Sequence, residues 1–168
     1  GVTGCLNYVY KRLKPEALPV AVAPAILPNV QAQTCGVCHQ EIYQEWSGSM
    51  MAKAFTDPVF QVDWAHDNRF YYCLNCHAPL LQQQPNLVSG LDSFQPLQGR
   101  EVPNPEFDEA LQAEGVTCVV CHLNEGKLEG PFETNLAPHP VRAVSDFASA
   151  QRCVRCHQIP QPPFSREP

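Results

Sequence analysis

The feature that most constrains this chain is a five-residue pattern, C-x-x-C-H, which occurs four times and uses eight of the nine cysteines. With nine Cys and six His in 168 residues, chance alone would give about 0.02 such matches. The two-residue spacer brings both sulfurs to one edge of a porphyrin, where they form thioethers, and it aims the following His at the iron. The copies are Cys35-Gly36-Val37-Cys38-His39, Cys73-Leu74-Asn75-Cys76-His77, Cys118-Val119-Val120-Cys121-His122 and Cys153-Val154-Arg155-Cys156-His157.

Disulfides and zinc are the competing explanations for so many cysteines. A disulfide framework does not require a His after every second Cys. Zinc sites take Cys₄ or Cys₂His₂ sets, and the tight spacing of two Cys and one His within five residues is unusual for such sites. The pattern therefore predicts four covalently bound haem c groups. Their proximal iron ligands would be His39, His77, His122 and His157. Haem of this kind is attached outside the cytoplasm, so we expect a periplasmic or otherwise extracytoplasmic protein.

Four haems on 168 residues leave 42 residues for each, so the porphyrins would form much of the core. This would let a chain with 17 Pro and 44% hydrophobic residues fold. We expect a compact, mainly α domain with much irregular structure and few or no strands, organised around packed haems. The prolines from Pro15 to Pro28 favour an extended path. They predict a tether over residues 1–32, a haem domain over 33–160 and an irregular tail over 161–168.

Hydrophobic spacing and capping residues predict short helices. In the first of them, Ile42, Trp46 and Met50 share one face at i, i+4 and i+8. A brief run over residues 116–120 is the main strand signal. The first predicted helix is 38–55, which ends at Asp57-Pro58, and Asp57 caps a short second helix that runs through Asp63 to His66. The third is 106–114, which begins after Asn104-Pro105 and ends at Gly115. Ser145 caps a fourth helix, which leads to Cys153.

Distal iron ligands are in short supply. The four proximal histidines leave only His66 and His139, and the two methionines, Met50 and Met51, are adjacent. Neighbours on a helix point about 100° apart, so we expect one methionine to bind iron, with core packing as the alternative. His139 lies between two prolines in a loop, which suits a ligand, whereas a surface position is the alternative for His66. At least one iron is therefore expected to be five-coordinate, to take an unusual ligand, or to be completed by a neighbouring chain.

Three segments resemble a multihaem c-type cytochrome family that includes the tetrahaem electron acceptor of hydroxylamine oxidoreductase. The likeness covers about residues 33–158 and is specific mainly at the haem motifs. The segments are residues 35–54, with Tyr43, Trp46, Ser49 and Ala52, which resemble the first haem segment; Gly115-Val116-Thr117-Cys118, which resembles the third; and 153–157, which resembles the fourth.

The resemblance implies a distribution of distal ligands. Met51 stands where family members usually carry a His that serves the third haem, opposite His122 in this chain. His139 would serve the fourth haem opposite His157, which leaves His66 for the first or the second. The resemblance also implies a five-coordinate haem, and it imports no particular enzymatic activity.

Mixed ligation favours electron relay over substrate chemistry. Axial ligands move haem potentials over about 0.8 V, and Met raises them relative to His. A range of potentials suits transfer to a strongly oxidising partner, such as a photosynthetic reaction centre or a terminal oxidase. The net charge of −6 favours a basic partner surface and excludes nucleic-acid binding. The alternatives are a small nitrogen-oxide or peroxide reductase, for which the polar candidates are Arg69, Tyr71, Tyr72, Arg142 and Arg155, and a self-assembling cytochrome filament.

The ninth cysteine, Cys5, lies far from every motif. The sequence Val2-Thr3-Gly4-Cys5 resembles a bacterial lipobox, in which the Cys is lipidated. A lipid ahead of the Pro-rich tether would hold the haem domain near a membrane. The remnant of another anchor and a plain free thiol are the alternatives. No run of about eighteen apolar residues occurs, so we expect membrane association without a membrane span.

Overall fold

Short helices of four to nine residues, turns and two small sheets make up the part of the chain that the structure describes. This part comprises residues 26–91 and 99–157 of a computed structural model. The 3₁₀ turns lie at Tyr71–Cys73, Leu81–Gln83 and Ala150–Arg152. The helices are α1 (Ala32–Gly36), α2 (Gln40–Gly48), α3 (Pro58–His66), α4 (Leu74–His77), α5 (Glu109–Ala113), α6 (Cys118–His122) and α7 (Val154–His157).

Two small sheets lie among the helices in the described residues. Strands this short carry too little alternation to be recognised in a sequence. In the second sheet the β3–β4 hairpin turns through Glu125 and Gly126, both at positive φ (50° and 73°), as tight hairpins require. The first sheet is the antiparallel pair β1 (Asn86–Leu91) and β2 (Gly99–Pro103); the second contains β3 (Leu123–Asn124), β4 (Lys127–Gly130) and β5 (Val141–Ala143), with β5 parallel to β4.

The first predicted helix, 38–55, is shorter than expected. It is limited to α2 because Ser49 is extended (ψ 162°), and because its hydroxyl bonds the Trp46 carbonyl at 2.6 Å instead of continuing the helix. Met50 therefore lies in a turn and does not share a helical face with Ile42 and Trp46. The turns over residues 50–56 lead from α2 to Asp57, which caps α3.

The Asp57 cap is confirmed. Its carboxylate accepts hydrogen bonds from the backbone N–H groups of Val59 (3.0 Å) and Phe60 (3.1 Å) at the start of α3. The helix predicted over 106–114 shortens to α5, because Asp108 caps it: its carboxylate accepts from the Leu111 N–H at 3.0 Å. The Nδ2 of Asn104 donates to the carbonyls of Leu81 and Gln84, both at 2.8 Å.

Two predictions near the later motifs are wrong. Ser145 begins no helix, since tight turns follow it and the chain reaches α7 through the 3₁₀ segment Ala150–Arg152. The run 116–120 is not a strand. From Cys118 onward it is helix α6, and Val116 instead pairs its N–H with the Met51 carbonyl (2.9 Å).

Buried apolar side chains form two small clusters, and each includes a residue from inside a haem motif. One contains Val30, Leu80, Leu111 and Val119; the other contains Trp64, Leu74 and Ala78. Val30, which falls within the predicted tether 1–32, belongs to the first of these clusters. Residues 1–25 of the predicted tether, with Cys5, and residues 158–168, with the predicted tail 161–168, lie outside the described residues.

A fully buried amide, Gln83, joins the elements between the second and third motifs. Its Nε2 donates to the carbonyls of Leu111 and Gly115, both at 2.7 Å, and its Oε1 accepts from the Leu80 N–H at 2.9 Å. The side chain of Gln112 donates in turn to the Gln83 carbonyl at 2.8 Å. One side chain thus satisfies three backbone groups, two of which are 28 and 32 residues away in sequence.

We expect Gln83→Leu to lower the free energy of unfolding by about 2–5 kcal/mol, because it leaves one N–H and two carbonyls unpaired in the interior. Denaturant titration of the haem-loaded protein measures the change. The matched control is Gln44→Leu on the exposed side of α2, which should stay within about 0.5 kcal/mol of the parent. Equal losses in both variants would contradict the assigned role.

Candidate haem sites

Each C-x-x-C-H motif forms a single helical turn. In the first and fourth motifs the His N–H donates to the carbonyl of the first cysteine, His39 to Cys35 and His157 to Cys153, both at 2.9 Å. The second and third motifs lie on α4 and α6. Because positions i, i+3 and i+4 share a helix face, both sulfurs and the imidazole of a motif lie on one side. A covalent haem requires this arrangement.

The competing explanations for the cysteines gain no support. All eight motif cysteines are free thiols, so no disulfide joins them. Within residues 26–91 and 99–157, no three His, Cys, Asp or Glu side chains converge on a point that could hold a metal ion by themselves. A haem iron needs only one or two protein ligands, so this finding does not conflict with haem.

Two proximal histidines are already oriented for iron. The Nδ1 of His77 lies 2.6 Å from the Ala54 carbonyl, and the Nδ1 of His122 lies 2.7 Å from the Glu129 carbonyl. Each carbonyl accepts the Nδ1 proton and leaves the Nε2 lone pair free for a metal. Phe60 stacks on the His77 ring, with centroids 3.7 Å and planes 5° apart, and restricts its rotation.

The first and third motifs are neighbours. The thiols of Cys35 and Cys118 hydrogen-bond to each other; this bond lowers the pKa of Cys35 to about 7 and raises the pKa of Cys118. Glu114 joins the same two turns, since its carboxylate accepts from the Ala32 N–H at 2.9 Å and from the Thr117 hydroxyl at 2.7 Å. Burial raises the pKa of this carboxyl.

The fourth motif lies between the third and the second. Arg152, which precedes Cys153, donates to the Cys121 carbonyl at 3.4 Å. Burial raises the pKa of Cys121, and the nearby thiols of Cys153 and Cys156 raise it further. Helix α7 in turn packs against α4, which carries the second motif. In space the motifs therefore follow the order first, third, fourth, second.

His139 lies beside the first motif. Its ring centroid is 6.5 Å from that of His39, and the ring planes are inclined by 43°. An iron held by two imidazoles needs about 2 Å to each nitrogen, and each nitrogen is about 1 Å from its ring centre, so the centroids come about 6 Å apart. The Nδ1 of His139 is buried and has no hydrogen-bond partner. The structure thus brings His139 to His39, whereas the resemblance implied a place opposite His157.

Met51 lies beside the third motif. Its carbonyl accepts from the N–H of Val116 at 2.9 Å, two residues before Cys118. The approach is close because Gly115 has φ +60° and no Cβ; a Cβ there would lie 2.8 Å from the Met51 oxygen. The Trp46 side chain holds the same segment in place, because its Nε1 donates to the Val116 carbonyl at 2.9 Å. These contacts fix the main chain of Met51 beside the third motif, and the residue is 51% exposed.

His66 is not brought to the second motif. It ends α3 with its side chain 86% exposed, and its Nδ1 lies 3.4 Å from a carboxylate oxygen of Asp67. The side of α3 that packs on the second motif carries Phe60 and Trp64. His66 is two residues beyond Trp64, which is about 200° around the helix. Ligation of the first or second iron by His66 therefore has no contact to support it.

The polar residues considered for an enzyme pocket are occupied at separate places. Arg69 lies over the Trp64 ring at 5.5 Å, and Tyr72 stacks on Phe70 at 5.8 Å. Arg142 pairs with glutamates in the second sheet. Tyr71 packs edge-on against Phe70, and the side chain of Arg155 lies outside the description. The described members of this set do not form one distal pocket.

Comparison with known proteins settles the family. The family model of cytochrome c554 and c-prime matches residues 34–123, more than half of the chain and three of the four motifs. This chain belongs to the cytochrome c554 and c-prime family. No curated protein and no solved structure matches it. The match confirms the resemblance at the family level, and the cytochrome is accordingly an electron carrier with covalently bound haem c. Among its described residues, none of the helices has the length and apolar character that crossing a membrane requires.

Sequence reasoning missed the residues that surround the third proximal histidine of this cytochrome. Phe147 lies with its ring 4.7 Å from that of His122, and Glu129 and Arg152 form an ion pair next to it. These residues come from a hairpin, a turn and a 3₁₀ segment, and no periodicity or spacing relates them. The one local signal is a tight-turn sequence, Asn124-Glu125-Gly126, which could have indicated the hairpin.

Proposed function

We propose that this cytochrome holds four haem c groups and relays electrons between redox proteins outside the cytoplasm. The observation that carries the proposal is the spatial series of motifs, first, third, fourth and second, in which each turn contacts the next. Each bound haem would exchange one electron between the ferrous and ferric states. The chain's own contribution is to hold the attachment turns side by side, which the Cys35–Cys118 and Arg152–Cys121 contacts support.

The distal ligands are assigned from the same geometry. We assign His139 to the first iron, because its ring stands at the separation that a shared iron needs. We assign Met51 to the third iron, because its backbone is fixed next to the start of that motif. The second and fourth irons are then left with no distal ligand assigned. His–His, His–Met and His-only sites would spread the potentials along the series.

The first motif is the part of the series most open to a partner. Cys38 and His39 are exposed, and Val37 inside the motif is 71% exposed. The adjoining helix α2 presents Glu41 and Glu45 to solvent. With a net charge of −6, this end suits a partner with a basic patch around its own cofactor. A membrane complex such as a reaction centre or a terminal oxidase is the proposed type of acceptor, with Cys5 as the proposed lipid attachment.

We expect His139→Ala to convert one haem from low to high spin, because the first iron loses its sixth ligand. Electron paramagnetic resonance of the ferric protein counts the change against the parent. His66→Ala is the matched control and should leave the high-spin content unchanged. A gain of high-spin iron in the His66 variant alone would transfer the ligand role to His66.

The weak near-infrared band of Met-ligated ferric haem should be present in the parent and absent in Met51→Ala. It should survive in Met50→Ala, because the Met51 backbone is fixed beside the third motif while Met50 is only its neighbour in the turn. Near-infrared absorption of the oxidised protein provides the measurement. Loss of the band in the Met50 variant alone would reverse the assignment.

The relay itself is tested by haem content and turnover. The denatured protein should exceed the apoprotein by four haem masses, and the reduced protein should show no steady-state turnover of nitrite, hydroxylamine or peroxide. A gain of three haems or fewer contradicts the count. Turnover at ordinary enzyme rates, on the order of 1–10³ per second, would replace the relay with a reductase.

A further inference from the structure

We propose that Glu129 is a positioning residue for the third haem site: its backbone orients His122, and its carboxylate sets the local charge that fixes the reduction potential there. The inference rests on the proposed tetrahaem function and adds a determinant that the motifs do not contain. Three observations carry it: the contact with His122, the burial of the carboxylate, and the pair of arginines held around that carboxylate.

The contact with His122 is made by the main chain and held by the second sheet. The Glu129 carbonyl accepts from His122 Nδ1 at 2.7 Å. Glu129 lies on β4, between β3 and β5, and its register partner on β5 is Arg142. Because β3 directly continues from His122, the hairpin returns the carbonyl to the imidazole. A strand paired on both sides leaves the acceptor little freedom.

The carboxylate is almost completely buried and fully occupied. The Glu129 side chain is 4% exposed. One oxygen accepts from Asn124 at 2.9 Å and from Arg142 Nε at 3.1 Å, and the other accepts from Arg152. Two guanidinium groups, from Arg142 and Arg152, pair with this carboxylate and hold it as the anion. The group is therefore a permanent negative charge at neutral pH.

Arg152 connects this charge to the third and fourth motifs. The Arg152 guanidinium lies 4.8 Å from the Phe147 ring centre, and that ring lies 4.7 Å from the His122 ring. Arg152 also donates to the Cys121 carbonyl and directly precedes Cys153. The Glu129–Arg152 pair thus lies at the junction between the third and fourth motifs, where solvent screening is weak.

The sign of the effect follows from charge. Glu129 with Arg142 and Arg152 gives a local charge of +1, and loss of the carboxylate leaves +2. Reduction of a haem removes one positive charge from the iron, so a more positive surrounding favours the reduced form. The potential of the third haem should therefore rise when Glu129 is neutralised, and it should fall when Arg152 is neutralised.

The experiment is a redox titration of the haem-loaded protein that resolves the individual haems. In Glu129→Gln we expect the ratio of reduced to oxidised third haem, at its parental midpoint, to rise about tenfold, which is 59 mV for one electron. Glu125→Gln is the matched control: Glu125 pairs with the same Arg142 at 3.2 Å but is 78% exposed, and its loss should leave the titration unchanged.

Two further variants separate charge from structure. Glu129→Gln combined with Arg152→Gln restores the local charge of +1, so the ratio of reduced to oxidised third haem should return toward the parental value. If the single variants acted only by damaging the structure, the double variant would depart further from the parent. Arg152→Gln alone should move the ratio in the opposite direction, and it tests the inference even if Glu129→Gln does not fold. Four attached haems with parental potentials in these variants would overturn the role of Glu129 and leave the relay intact. If the parent protein itself carried fewer than four haems, the proposed function would be overturned instead.

Discussion

The structure depends on one requirement: four short turns must each present two sulfurs and one imidazole on the same side. A turn of four or five residues cannot fix the rotation of its own histidine. The missing constraint comes from distant carbonyls, that of Ala54 for His77 and that of Glu129 for His122. The turn after α2 and the second sheet thus supply the carbonyls that orient these two imidazoles.

The same requirement explains the small core. Leu74 and Val119 lie inside haem motifs and also belong to the two buried clusters, so the attachment turns are themselves core elements. Large apolar side chains such as Val37, Ile42 and Leu136 remain 62–91% exposed on the protein alone. Covering them with porphyrin would supply the apolar burial that the side chains do not supply to one another. Folding and haem attachment are therefore expected to be coupled, as they are for structural metals.

What could be predicted from the sequence is what local chemistry determines. The motifs, the Asp57 cap and the stop at Gly115 each depend on a few consecutive residues, and each was found. The strands are too short to show a period, and the end of α2 depends on one serine hydroxyl. The neighbours of His139 and His122 depend on pairing between segments that are far apart in sequence. No count of ligands could show that His139 would meet His39, because the chain from residue 131 to 140 has no periodicity that fixes its path.

In the proposed relay, the order of the motifs in space would separate two tasks that their order in sequence would mix. If neighbours in sequence were neighbours in space, the fourth site would be at the end of the series and the second would be in the middle. Instead, the third and fourth motifs lie in the middle, joined by the ion pair between buried Glu129 and half-buried Arg152, and the first motif is at one end beside exposed glutamates. A charge in the interior is weakly screened and holds a potential steady, whereas a charge at the exposed end is screened by salt and serves encounter with a partner. A change in the surface charge of α2 should therefore alter how fast partners associate without altering the potentials in the middle of the series.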